Sequence, residues 1–256
     1  MSAMPPKPVT AAVLVIGDEI LSGRTKDKNV GFIADFLTER GIDLCEVRVV
    51  PDVIDEIVAA LNALRHRYSY VFTTGGIGPT HDDVTAEAVG AAFGLPVVEN
   101  PQAIELLLQR IKPEDLNAAR RRMAHMPVGA ALIENSVSKA PGFKIGNVIV
   151  MAGVPMIMQA MLAAVAPSLE TGARTLAKSI TVGNIPEGTY AADLAAIAAQ
   201  NPELAIGSYP SVVNGQFANE IVVRGKDADS IAAAVAAIER VIADLRATGK
   251  DKFTFR

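Results

Sequence analysis

The stretch YVFTTGGIGPTHDDVT, Tyr70 to Thr85, passes from an apolar run through three glycines and a proline to two adjacent aspartates and the start of a helical pattern. Tyr70 to Thr74 reads as a strand, and the glycines after it read as a strand-to-helix turn of the kind found at the carboxyl edge of an α/β sheet. Upstream, AAVLVI (Ala11 to Ile16) is continuously apolar and ends at Gly17, as expected of a strand buried on both faces. Val30, Ile33 and Leu37 recur at helical spacing until Gly41 ends the pattern, and Ile42 to Val50 reads as a second strand. A helix carrying Ile54, Ile57, Val58, Leu61 and Leu64 leads back to Tyr70. The order is β-α-β-α-β, which predicts a mostly parallel sheet between two helical layers.

Downstream the pattern is less regular. It predicts a helix over Thr85 to Phe93, a short strand Pro96 to Val98 and helical segments between Pro101 and Met126. A hairpin follows within Gly142 to Met151, turning at Gly146-Asn147, and then a helix from Pro155 to about Leu169. A new cycle starts near Ser179. Its helices are expected at Tyr190 to Ala199 and Asp229 to Ala247, and its later strands at Leu204 to Tyr209 and Phe217 to Arg224, with Asn214-Gly215 as a turn. The expected architecture is a three-layer α/β/α domain over 8–170 and a small α+β domain, βαββα, over 175–256, joined through Glu170-Thr171-Gly172.

A chain of 256 residues suits two domains, and a composition half hydrophobic and one fifth charged excludes a disordered polymer. The net charge of -4 and the lack of a basic stripe argue against a nucleic-acid partner; the triplet Arg120-Arg121-Arg122 reads as a solvated helix face. Cys45 cannot close an internal disulfide and reads as a core thiol on a strand. The opening MSAMPPKPVT lacks a signal-peptide pattern and no apolar run nears the ~18 residues of a membrane span, so a cytoplasmic protein without a membrane partner is expected. His66 and His125 fall in helical stretches, away from any zinc-ligand spacing.

The chemistry is expected in three strand-to-helix loops. Gly17 to Asn29 carries Asp18, Glu19, Ser22, Gly23, Asp27 and Asn29; the second loop holds Asp52; the third holds Gly75, Gly76 and Gly78. Those glycines let successive N–H groups turn toward an anion, or simply form a tight turn. The third loop is neither a Walker A motif nor GxGxxG. Asp82-Asp83 beside an anion nest points to a metal, a base or a substrate hydroxyl, although capping accounts for one of them; Asp52 is likewise placed as a helix cap or a functional carboxylate. His81 reads equally as a phosphate contact and as a plain loop residue.

TGGIGPTHDDVT at Thr74 to Thr85, GDEILSG with Asp27 and Asn29, Pro51-Asp52, MPVGA at Met126 to Ala130, APGF at Ala140 to Phe143 and AGVP at Ala152 to Pro155 occur in that order. Over about residues 10 to 165 the chain resembles the molybdopterin-binding domain shared by molybdenum cofactor biosynthesis proteins (MoaB/MogA-like) and the competence/damage-inducible protein A (CinA) group. The βαββα tail resembles the CinA type, without the deamidase domain, and the related domain fused to some FAD synthetases, so deamidase activity is not expected. The resemblance implies Asp52 and Asp83 as catalytic residues, Asp82 and Asp83 as ligands of a divalent metal such as Mg²⁺, and Ser22, Gly23, Thr74, Gly75, Gly76, Gly78, Thr85, Gly142 and Gly153 as ligand- or phosphate-binding. Ser138-Lys139-Ala140-Pro141-Gly142 departs from the usual Gly-Thr-Ala-Pro-Gly, and Met151-Ala152-Gly153 from the usual Leu-Pro-Gly.

The implied ligand is a phosphate-bearing small molecule, molybdopterin or a nucleotide. Three activities stay open: metal-dependent hydrolysis of ADP-ribose-like pyrophosphates, transfer of AMP to molybdopterin, and binding without catalysis. A homo-oligomer is implied, and the alanine-rich helix around Ile231 to Ile238 offers small side chains for a contact with another copy or with the first domain.

Overall fold

The computed structural model describes residues 8–213 and 216–249. The chain divides into two compact units, Met1–Gly172 and Ala173–Arg256.

In the first unit the elements run β1 (Val9–Ile16), α1 (Asp18–Leu21), α2 (Asn29–Glu39), β2 (Ile42–Val50), α3 (Ile54–Arg65), β3 (Tyr70–Thr74), α4 (Thr85–Phe93), β4 (Val97–Glu99), α5 (Pro101–Leu108) and α6 (Ala118–Arg122). They continue with β5 (His125–Pro127), β6 (Ala131–Ile133), β7 (Gly142–Ile145), β8 (Val148–Met151) and α7 (Pro155–Val165). Six strands form one sheet in the order β2-β1-β3-β8-β7-β6. Pairing is parallel from β2 through β8 and antiparallel at β7 and β6. This is the three-layer, mostly parallel architecture that the sequence predicts.

The apolar run of β1 works because strand side chains alternate between faces. Ala12, Leu14 and Ile16 enter one core with Ile57, Leu61 and Leu64 of α3, Val89 of α4 and Leu107 of α5. Ala11, Val13 and Val15 enter the other with Ile33 and Leu37 of α2 and Met158, Met161 and Leu162 of α7. A strand filling two cores has no polar face to show, hence the unbroken run.

Three local expectations are corrected. Cys45 is exposed rather than a core thiol: β2 is an edge strand, its register against β1 steps from Leu44 to Glu46 past Cys45, and a bulge turns that side chain outward. His125 is not in a helical stretch: it lies on β5 and pairs with Glu99 of β4. The arginine triplet is not a purely solvated face: Arg121 grips Glu99 with both carboxylate oxygens at 2.8 and 2.9 Å, Arg120 donates to the carbonyl of Asp115, and Arg122 donates to the carbonyl of Asp83 and to Glu87.

The second unit runs β9 (Leu176–Gly183), α8 (Glu187–Gln200), β10 (Ala205–Tyr209), a two-stranded ribbon β11 (Val212–Val213) and β12 (Gln216–Phe217), β13 (Asn219–Gly225) and α9 (Ala228–Ala247). Its antiparallel sheet has the order β10-β13-β9. The ribbon adds to the expected βαββα pattern, and the turn expected at Asn214-Gly215 lies outside the described residues, as does the opening segment 1–7. Ile231, Ala234, Ile238, Ile242 and Leu245 of α9 are buried at helical spacing, while Ala232, Ala233 and Ala236 are exposed. Among the described residues no helix is long and apolar enough to cross a membrane.

Candidate functional site

The carboxyl ends of β1, β2, β3 and β8 bring three loops together. Ile16 pairs with Val50 and Val15 with Thr74, so the first loop, Asp52 and the glycine loop start side by side. Gly153, after β8, touches Gly75: a Cβ on Gly153 would sit 3.3 Å from the Gly75 Cα.

The glycine loop is held from within. Gly75 N–H donates to Met151 O, Thr85 N–H to Gly76 O, and the Thr85 hydroxyl to Gly75 O at 3.0 Å. Gly75 has φ 105° and Gly76 φ 65°. A Cβ on Gly75 would collide with the Ile16 carbonyl oxygen, and one on Gly76 with the Thr85 hydroxyl; Gly78 faces the Asp83 carboxylate in the same way. The space that these glycines leave is occupied by the protein itself. Gly142, buried on β7, leaves room for the Val150 carbonyl, and Thr85 is fully buried, so both have packing roles inside the unit.

Asp83 closes this loop. Its Oδ1 accepts the Gly78 N–H at 2.7 Å, and its Oδ2 accepts the Thr80 N–H at 2.8 Å and the Thr80 hydroxyl at 2.6 Å. The Asp82 side chain is 65% exposed, and the His81 side chain is wholly exposed, 3.9 Å from it. In the expected metal pair Asp82-Asp83, both Asp83 oxygens accept from loop donors and the Asp82 side chain is largely exposed. Among the described residues no group of three His, Cys, Asp or Glu is arranged to hold a metal ion. Asp83→Asn is expected to lower the stability of the first unit by about 1–3 kcal/mol, since an amide turns one NH₂ toward donors that need an acceptor. Chemical denaturation measures this, and an unchanged midpoint would remove the clamp.

Asp52 is not the cap of its own helix, where Val53 takes that position. Its Oδ2 instead accepts the Asp18 N–H at 2.9 Å, steadying the first turn of α1. Its Oδ1 lies 3.5 Å from where a Gly76 Cβ would stand, so the carboxylate bridges the first and third loops. Burial, and then the carboxylates of Asp18, Glu19 and Asp82, push its pKa above the ordinary aspartate value, with the Asp18 N–H pulling the other way.

At this edge lies a cleft of about 470 Å³ whose lining includes the cations Arg24, Lys26 and Lys28, the carboxylates Glu19 and Asp27, and Asn29, Thr74 and Gly153. It also contains the first residues of α2 and α7, Asn29 and Pro155, whose N-terminal dipole ends favour negative charge. Asp27 Oδ1 accepts the Val30 N–H at 2.9 Å and so is drawn into the α2 start. Thr74 and Gly153 therefore line the cleft, whereas Gly76, Gly78 and Asp83 line a separate crevice of about 10 Å³ with Arg122 and His125. Ser22 and Gly23 are exposed on the first loop and line neither, and Asp52 and Gly75 line neither as well. Sequence reasoning missed Arg24, Lys26 and Lys28; the signal was RTKDK, three cations in five residues of a strand-to-helix loop. Lys139 has φ 65°, in a turn pinned by the buried Asn135.

Comparison with known proteins gives the lineage of this arrangement. Residues 12–171 match the family described as "Probable molybdopterin binding domain", and residues 174–247 match "FAD synthase, middle domain". A protein from Archaeoglobus fulgidus is 30% identical over 236 residues, 91% of this chain and 98% of that one. Another, from Caldivirga maquilingensis, is 37% identical over 188 residues, 71% of this chain and 73% of that one. The crystal structure of the protein CinA with unknown function from Thermoplasma acidophilum matches with a TM-score of 0.60 at 35% identity, covering 63% of this chain and 99% of that one.

Proposed function

The chain belongs to the molybdopterin-binding domain family, and from that premise we propose that the cleft above β1 and β3 binds a phosphate-bearing small molecule, molybdopterin-related or a nucleotide, and that the site hydrolyses pyrophosphates of the ADP-ribose type. The observation that carries the binding reading is the convergence of Arg24, Lys26 and Lys28 with the first residues of α2 and α7 on one cleft of small-molecule size. A phosphate there gains charge-assisted hydrogen bonds from flexible cations and the favourable ends of two helix dipoles. The adjacent loop, with the glycines already filled by protein atoms, supports the floor and the Asp52 carboxylate.

In hydrolysis a water oxygen forms a bond to phosphorus, the bridging P–O bond breaks, and the departing phosphate carries the electron pair away. Asp52 stands on the loop beside the cleft and not among the residues that line it, and we assign it to take the water proton because burial and neighbouring carboxylates make it a stronger base than a free aspartate. The cations hold the charge that gathers on the phosphate oxygens.

Lys26→Ala and Lys28→Ala are each expected to weaken ADP-ribose binding by about tenfold, with the loss shrinking as salt rises. Titration calorimetry at two ionic strengths reads this, and unchanged affinity in both variants would overturn the phosphate assignment. Turnover is measured with ADP-ribose, in Mg²⁺ and in chelator, alongside molybdopterin plus ATP. Release of AMP from ADP-ribose supports hydrolysis. AMP transfer to molybdopterin would replace it with nucleotidyl transfer, and binding without either product would leave a binding module.

A further inference from the structure

Two buried oxygens at the floor of this cleft have no partner. Asn29 is 4% exposed and Thr74 is 1% exposed, both line the cleft, and Asn29 Oδ1 and Thr74 Oγ1 are among the buried polar atoms without a hydrogen bond. The Asn29 amide cannot turn over to relieve this: its Nδ2 already donates to the Gly153 carbonyl at 2.8 Å, and a flip would set oxygen against oxygen. Thr74 lies two positions beyond Phe72, which enters the core shared with α2 and α7, so strand alternation sends its hydroxyl to the side where Asn29 and Gly153 stand. Native interiors leave few such groups, because an unsatisfied buried acceptor is costly. Here two of them share one cleft with Arg24, Lys26 and Lys28 and with the carboxylates Glu19 and Asp27.

We propose that Asn29 and Thr74 select the end of the ligand opposite its phosphate, accepting hydrogen bonds from the N–H edge of a heterocycle. The inference rests on the phosphate-binding reading above and adds to it a second, neutral pole. The cations Arg24, Lys26 and Lys28 anchor the phosphate, and the two acceptors discriminate among phosphate esters by what they carry at the far end. A site built to accept a donor rejects an analogue that lacks it, because its own buried oxygens then stay unsatisfied.

Thr73 provides an internal control. Its hydroxyl is equally buried and equally without a partner, but its side chain alternates to the other face of β3 and does not line the cleft. Replacing either threonine by valine keeps the shape and removes an unsatisfied oxygen, so both Thr73→Val and Thr74→Val are expected to melt at or above the temperature of the parent.

The probes are ribose 5-phosphate, which offers the phosphate without a base, and guanosine 5′-monophosphate, which adds ring N–H and amino donors. The parent and Thr73→Val are expected to favour the guanosine ester by roughly tenfold or more, about 1.4 kcal/mol. Thr74→Val is expected to lose most of that preference while binding ribose 5-phosphate as the parent does. Undiminished preference in Thr74→Val, or none in the parent, would overturn the selection by these oxygens while leaving the phosphate reading intact. Failure of both esters to bind would overturn the phosphate reading, and this inference with it.

Discussion

Replacing Gly75 by alanine is expected to destabilise the first unit by about 2–5 kcal/mol. Two penalties combine. The residue sits at φ 105°, outside the regions that an L side chain favours, and the added methyl would overlap the carbonyl oxygen of Ile16 on the neighbouring strand. That oxygen belongs to the backbone of β1, in the middle of the sheet, so it cannot move aside without breaking the pairing of Val15 with Thr74. Gly94 is the comparison: it too has positive φ, at 65°, but nothing lies within 4 Å of its missing Cβ. Gly94→Ala should therefore cost about 1–2 kcal/mol from conformation alone. Denaturant titrations of the two variants separate the terms; equal losses would show that the close approach to Ile16 contributes nothing.

Asp52→Asn is expected to reduce turnover by about a hundred- to ten-thousandfold while leaving the protein at least as stable at pH 7. The amide oxygen still accepts the Asp18 N–H, so the first loop keeps its anchor. What disappears is the charge and the ability to take a proton. The Asp52 pKa is raised in the folded protein by burial and by the Asp18, Glu19 and Asp82 carboxylates. The folded state consequently holds this proton to higher pH than the unfolded chain. The associated stabilisation is present in full below the unfolded aspartate value and is lost as pH rises through the folded one, so at pH 7 the ionised side chain is a liability that asparagine removes. Catalysis has the opposite sign: a base must be ionised, and the acid limb of the rate profile should be shifted upward from the ordinary aspartate value and vanish in Asp52→Asn. Full activity in this variant would end its role as base, and a clear drop in stability at pH 7 would show that the negative charge is satisfied by a partner.

The same loops show where sequence reading succeeds and where it stops. The order of β1, α2, β2, α3 and β3, the hairpin of β7 and β8, and the division into an α/β unit and a small α+β unit follow from local patterning, because burial on two faces, burial on one stripe and tight turns each leave a periodic mark on the chain. The short strands β5 and β6 left no such mark. At three residues each they are too brief for periodicity, and β5 exists because Val97 to Glu99 lies alongside it.

The family, the sheet and the edge of the sheet at which the loops meet are legible in the chain alone, since they rest on residue types in order along it. What surrounds each loop residue depends on packing between distant segments. Gly75, Gly76 and Gly78 are small because Ile16, Thr85 and Asp83 fill their side-chain space, and Asp83 spends its oxygens on Gly78 and Thr80. Arg24, Lys26 and Lys28 look like ordinary solvated charges until the first loop is folded against Thr74 and Gly153, residues roughly 50 and 125 positions further along the chain. Contacts across such separations depend on how strands are ordered in space, and spacing along one chain carries no record of that order.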